Sequence, residues 1–169
     1  MTQVKQYLGA YGVEIQQQVT ELLETERTGN WLLKKYPTAH QLGNAGRLYD
    51  YAQAIKSEYM RSSAPISKVI YDDKIHVIHN ALGLHTFVSR VQGNKLKAKH
   101  EIRVASMFRN VPEAFLRMIL VHELAHLKEK AHNKAFYKLC CHMEPDYHQL
   151  EFELRVYLCH KERFGDLWK

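Results

Sequence analysis

The chain has 169 residues, 46% of them hydrophobic, and a formal net charge of +6 at pH 7. That length fits one domain with enough apolar mass for a sizeable core. No apolar run nears the ~20 residues of a membrane span, because Arg117 and Lys128-Glu129-Lys130 interrupt the best candidate.

The opening stretch, MTQVKQYLGAYGVEIQQQ, has no apolar core of a secretory leader. Residues 1–62 read as an N-terminal helical part. Val13, Ile15, Val19, Leu22 and Leu23 recur at helical intervals, as do Leu48, Tyr51, Ile55 and Tyr59. Between the two series, Thr38–Gly46 carries Gly43, Asn44 and Gly46 and reads as a loop. Ser62-Ser63-Ala64-Pro65 punctuates the chain but is too short to argue for two independent domains. From Ile66 the period shortens to β-type runs at Lys68–Tyr71, Leu84–Val91 and Ile102–Ala105, with turn signals at Asp72-Asp73 and Gly93-Asn94.

A helix is expected from about Val111 to Lys130. Asn110 and Glu113 have the spacing of a capping box, and Pro112 suits a first turn. Phe115, Ile119, His122 and His126 share one stripe of it. Asn133 then reads as the N-cap of a short helix to about Cys141. Pro145 breaks the pattern, and a last amphipathic helix covers roughly Tyr147–Arg163, with Leu150, Leu154, Tyr157 and Leu158 as its apolar stripe. Three cysteines, two of them adjacent at Cys140 and Cys141, form no disulfide framework and predict reduced thiols in a cytoplasmic protein. Met143 reads as a core contact at a helix end.

The chemistry concentrates in His122-Glu123-Leu124-Ala125-His126. Residues four apart on a helix lie one above the other, so His122 and His126 aim at one point. Imidazole suits zinc, and Glu123 is placed to act on water held by that metal. His132 extends the pattern to H-E-x-x-H-x5-H, a three-ligand set that leaves a fourth position open for one catalytic zinc per chain. The spacing equals that of the metzincins, but those enzymes turn the chain at a Gly where this one has Glu129. Glu151 or Glu153 on the last helix is the alternative third ligand, and either could instead hold a ligand His through its other ring nitrogen.

Val121-His122-Glu123-Leu124-Ala125-His126-Leu127 followed by His132-Asn133-Lys134-Ala135-Phe136 resembles the signature of the YgjP-like metallopeptidase family, a group related to SprT and wss1-like zincins. The resemblance extends through Asn80-Ala81-Leu82-Gly83-Leu84-His85 and Ser89-Arg90-Val91-Gln92-Gly93 to Met143-Glu144-Pro145-Asp146-Tyr147-His148. Many relatives carry an Arg-Trp-Gly-Ser-Cys-like stretch before the metal helix; here Val91-Gln92-Gly93-Asn94 follows Arg90. The family implies His122, His126 and His132 as zinc ligands and Glu123 as the catalytic carboxylate. The change of period near Pro65 and the capped helix from about Val111 to Lys130 predict an α+β, zincin-like fold: N-terminal helices, a small mostly antiparallel sheet, the metal helix and a helical C-terminus. One domain over residues 1–169 is expected, with its metal-site core in 66–169. Zincins add a side chain that stabilises the developing oxyanion, and Tyr147 and Arg90 are the candidates.

The substrate is open at this level. Lys95, Lys97 and Lys99 alternate and so share a face in a strand, with His100 and Arg103 close behind, and Arg109, Lys128, Lys130 and Lys134 add charge nearby in sequence. Such a strand is either a guarded edge or a clamp for an anionic substrate. Three readings follow. The default is a zinc hydrolase acting on peptide bonds. Members of the family are described both as metallopeptidases and as UTP pyrophosphatases, so the alternative is a nucleoside triphosphate pyrophosphatase releasing diphosphate. A nucleic-acid-associated module with structural zinc is the third, weakened by the lack of aromatic residues interleaved through Lys95–Lys99.

Overall fold

The structure is a computed structural model that describes residues 2–75, 89–94 and 97–169, with side chains outside positions 76–99. Four helices open the chain: α1 (Thr2–Leu8), α2 (Val13–Glu24), α3 (Thr28–Lys35) and α4 (Ala45–Tyr59). Asn44 caps α4, its side chain accepting the Arg47 backbone N–H at 2.8 Å. On α2 only Val19 and Leu23 of the expected stripe are buried, and Val13 is 68% exposed.

Strand β1 (Ile66–Asp72) pairs in parallel with β3 (Lys97–Ala105), and β2 (Ser89–Asn94) pairs antiparallel with the other edge of β3, giving the order β1-β3-β2. The sheet is thus mixed, not mostly antiparallel as expected. Asn94 faces Lys97, so two residues connect β2 to β3, a length that enforces a hairpin. The stretch from Asp72 to Lys97 is instead long enough to bring β3 back in the direction of β1. Alternation in a sequence marks a strand but not the direction of its neighbour. Most of the Leu84–Val91 run and the Asn80–His85 stretch lie outside the described residues, as does Lys95.

A 3-10 turn, Ser106–Asn110, leads to α5 (Glu113–Ala125). Its N-cap is Pro112, with no side-chain cap, so the Asn110–Glu113 capping box does not form; Asn110 is already spent in the preceding turn. Helix α5 is buried on nearly every face: Phe115, Leu116 and the run from Met118 to Ala125 are all inside. A helix apolar all round belongs at the centre. Strand β3 covers one side, presenting the fully buried Ile102 and Val104, while α6 (Lys134–Met143) and α7 (Tyr147–Phe164) cover the other. Asn133 caps α6 as expected, accepting from Phe136 N at 2.9 Å.

The N-terminal helices share this core. Helices α1 and α3 pack on α7, and α4 packs on β1. Gly29 of α3 admits the His160 ring of α7, since a Cβ there would lie 3.1 Å from His160 Cε1. The buried Thr28 hydroxyl meets His160 Nδ1 at 2.8 Å. No helix among the described residues is long and apolar enough to cross a membrane.

Candidate metal centre

His122 and His126 occupy the last turn of α5 and its C-cap, one above the other as the spacing requires. The helix stops at Ala125 rather than near Lys130. Leu127 N bonds Leu124 O and Lys128 N bonds Ala125 O, both at 3.0 Å, tightening the exit into i→i+3 turns. His126 Nδ1 then donates to the Glu129 carbonyl at 3.0 Å, pinning the loop beneath the ring. Glu26 is the sole described non-glycine residue with positive φ, so no left-handed residue turns the chain between His126 and His132. A histidine side chain does here what a glycine does in metzincins.

The loop delivers His132 to the other two rings. The three Nε2 atoms lie 3.3 Å (His122–His126), 3.2 Å (His122–His132) and 3.1 Å (His126–His132) apart. These short distances are not ordinary hydrogen bonds. The Glu129 carbonyl can only accept, so His126 carries its hydrogen on Nδ1, and its Nε2 is a bare lone pair. Burial holds the His126 pKa below its ordinary value, against the pull of the Glu129 and Lys130 carbonyls, which keeps that ring neutral. His122 Nδ1 likewise has a partner, the Tyr147 hydroxyl at 2.8 Å. Converging imidazole lone pairs repel unless a cation joins them. A triangle with these edges is one face of a tetrahedron whose centre lies about 2.0 Å from each nitrogen, the length of a zinc–imidazole bond. The triad could therefore hold a metal ion, and its donors fit one.

Phe136, one turn beyond His132 on α6, is fully buried with its ring centroid 4.6 to 4.9 Å from all three imidazoles. It forms the apolar floor of the centre, and its signal was the i, i+4 spacing from His132. Met143, also buried, is a core contact at the end of α6. Glu123 follows His122 on α5 with its side chain fully buried. The alternative ligands sit elsewhere. Glu153 receives Lys35 Nζ, the Tyr36 hydroxyl and Gln149 Nε2, and Glu151 accepts from Arg155 Nη2 at 2.9 Å. Burial pushes the Cys140 thiol up to about 12, so it stays protonated, and all three cysteines are free.

The outer candidates divide. Tyr147 is buried, and its hydroxyl meets the Nδ1 side of His122, away from the converging Nε2 atoms. That is the wrong side for an oxyanion. Arg103 is engaged by Asp72 (3.2 Å) and Glu101 (3.0 Å) rather than presented to the centre. Arg109 lies over the Tyr71 ring at 5.0 Å. Arg90 lies on β2 and Lys97 and Lys99 on β3, with their side chains outside the described set. Lys128, Lys130 and Lys134 are exposed and flank the loop that carries His132.

Comparison with known proteins fits this centre. The family model described as YgjP-like, metallopeptidase domain, matches residues 70–157, a span containing the whole triad. A protein of Escherichia coli (strain K12) named UTP pyrophosphatase is 60% identical over 152 residues, which cover 90% of this chain and 91% of the relative. No solved structure matches the chain. The chain is a hydrolytic enzyme and belongs to the YgjP-like family of metallopeptidase-domain proteins.

Proposed function

We propose that this chain is a zinc-dependent pyrophosphatase of nucleoside triphosphates, acting on UTP and releasing diphosphate. The observation that carries the substrate is the 60% identity, along nine-tenths of both chains, to a protein named UTP pyrophosphatase. His122, His126 and His132 would hold the zinc through Nε2, with Phe136 packed beneath them. When bound, the metal supplies Lewis acidity to the attacking water and to a phosphoryl oxygen. Glu123 takes the proton from that water and delivers it to the departing diphosphate. Its side chain is fully buried and follows His122 directly on α5. Three protein ligands and an adjacent carboxylate speak against a structural zinc in a nucleic-acid-associated module, which four ligands would close.

Peptide cleavage is the second reading, favoured by the metallopeptidase description of the family. The same carboxylate and metal would serve it. In either case the zincin-like architecture is a single domain, in which helices of residues 1–62 complete the core of 66–169 by packing on α7 and β1. Three free cysteines support a cytoplasmic setting.

Purified protein assayed with UTP, the other nucleoside triphosphates and casein decides between them. Turnover of UTP with diphosphate release, abolished by a chelator and restored by zinc, is the expected result. Casein cleavage without nucleotide turnover overturns it.

A further inference from the structure

On the reading above, the triad and Glu123 address the phosphates of the substrate. Inorganic tripolyphosphate carries the same groups, so selecting a nucleotide needs a second surface that meets the base. A base offers flat faces, and proteins meet these with Tyr, His, Phe or Trp rings. A series of ring contacts leads from the triad to the surface. His132 lies 6.5 Å from Tyr137 of α6 with the planes 31° apart, and Tyr137 lies 5.5 Å from His148 of α7 with the planes 37° apart. Phe136 and Tyr147, the other described non-ligand rings against the triad, are fully buried, whereas Tyr137 is half-buried and His148 is exposed. Among the described residues His148 has ring contacts but no hydrogen bond or ion pair. A ring of a packed core would be covered, and an exposed polar ring with no polar partner is open to a ligand.

We propose that Tyr137 and His148 form the platform on which the base of the nucleoside triphosphate stacks while its phosphates lie at the triad. In a nucleotide one sugar separates the α-phosphate from the base, and Tyr137 stands one ring beyond His132. Lys134, exposed and three residues before Tyr137, shares that face of α6 and adds a cation for the polyphosphate. Stacking reads a ring face and not the pattern of groups on its edge. The platform therefore separates nucleotides from inorganic polyphosphate more sharply than it ranks one base against another.

This inference rests on the proposed function, and one experiment keeps the two apart. Michaelis constants for UTP are measured beside inhibition constants for inorganic tripolyphosphate, which has the phosphates and no base. Wild type is compared with His148→Ala, Tyr137→Leu and Tyr137→Phe, with zinc content and thermal unfolding recorded for each. His148→Ala and Tyr137→Leu should each raise the Michaelis constant for UTP by about 5- to 100-fold, the scale of losing a base–aromatic stack. Inhibition by tripolyphosphate should be unchanged. Tyr137→Phe keeps the ring face and should behave as wild type. His148 is exposed, so His148→Ala carries the test should Tyr137→Leu not fold. An unchanged Michaelis constant for UTP in His148→Ala overturns the proposal. Equal losses for UTP and tripolyphosphate overturn it too, because the rings would then serve the metal site and not the base. Wild type that binds zinc but turns over no nucleoside triphosphate strikes the proposed substrate, and the platform with it. Unchanged constants in the variants of an active enzyme strike the platform alone.

Discussion

Arg117 on the metal helix reaches across to Glu144, its Nε donating to Oε2 at 2.8 Å while Nη2 donates to the Met143 carbonyl at 2.9 Å. The pair ties α5 to the turn that ends α6 and starts α7, three residues before Tyr147. Both side chains are largely covered, 25% and 14% exposed, so screening is incomplete. Arg117→Met should therefore destabilise by about 1.5–3 kcal/mol, the range for hydrogen bonds to charged groups. Urea unfolding should show a lower midpoint with an unchanged slope. An unchanged midpoint would mean the pair merely fills space.

Glu123→Gln separates holding the metal from using it. Gln is nearly isosteric and leaves the three imidazoles untouched, but it cannot accept a proton. Zinc content should stay at one per chain while hydrolysis falls by about 10²–10⁴-fold, the range for losing a general base. His132→Ala should instead lose the zinc. Glu153→Gln should keep it, since Glu153 is engaged by Lys35 and Tyr36. Turnover retained in Glu123→Gln would show another base at work.

His160 makes stability depend on pH. Burial against α3 lowers its pKa from the ordinary 6.5, so the folded state resists protonation that the unfolded chain accepts. The unfolded state then binds more protons below pH 6.5, and stability rises with pH where that holds. Stability should fall as the pH drops from neutrality through 6.5, and level off once the folded-state pKa is passed. In the metal-free protein, His160→Gln should flatten part of this slope while His126 retains its own share, because burial lowers that pKa too. Denaturant midpoints between neutral and mildly acidic pH would show it, and identical slopes in wild type and variant would exclude His160.

The clustering of His122, His126 and His132 was legible because its geometry is local. Four-residue spacing on a helix places His122 over His126 whatever the rest of the chain does, and a short tether limits where His132 can go. Asn133 as an N-cap is local in the same sense, a side chain bonding a backbone three residues on. The parallel pairing of β1 with β3 was not legible, since it depends on the path of a long connection. Nor was the contact of Tyr147 with His122. Nothing at position 147 marks a phenol that meets His122 from across 25 residues of chain, and exposure to substrate looked as plausible as burial. The end of α5 was misread for a related reason: Lys128-Glu129-Lys130 has helical propensity, but the His126–Glu129 bond outweighs it.

A clamp of basic residues on an anionic substrate would show in the Michaelis constant. Of the four residues expected to clamp a triphosphate, Arg103 is already occupied by Asp72 and Glu101. Arg103→Ser should therefore loosen the pairing of β1 with β3 and leave the Michaelis constant for UTP nearly unchanged. Replacing Lys95, Lys97 and Lys99 together by Ser tests the remainder. Each phosphate–lysine contact in a partly dry cleft is a charge-assisted hydrogen bond worth about 1.5–3 kcal/mol. Losing even one such contact raises the Michaelis constant by roughly tenfold or more. Added salt should reproduce part of that loss with wild type, and should do less to the triple variant, which has fewer charges left to screen. Cleavage of a neutral peptide, if present, should be indifferent to both. An unchanged Michaelis constant in the triple variant would leave these lysines as solvated charges with no part in holding the substrate. The triphosphate would then have to be met elsewhere, and Lys128, Lys130 and Lys134 beside the His132 loop are the next residues to replace.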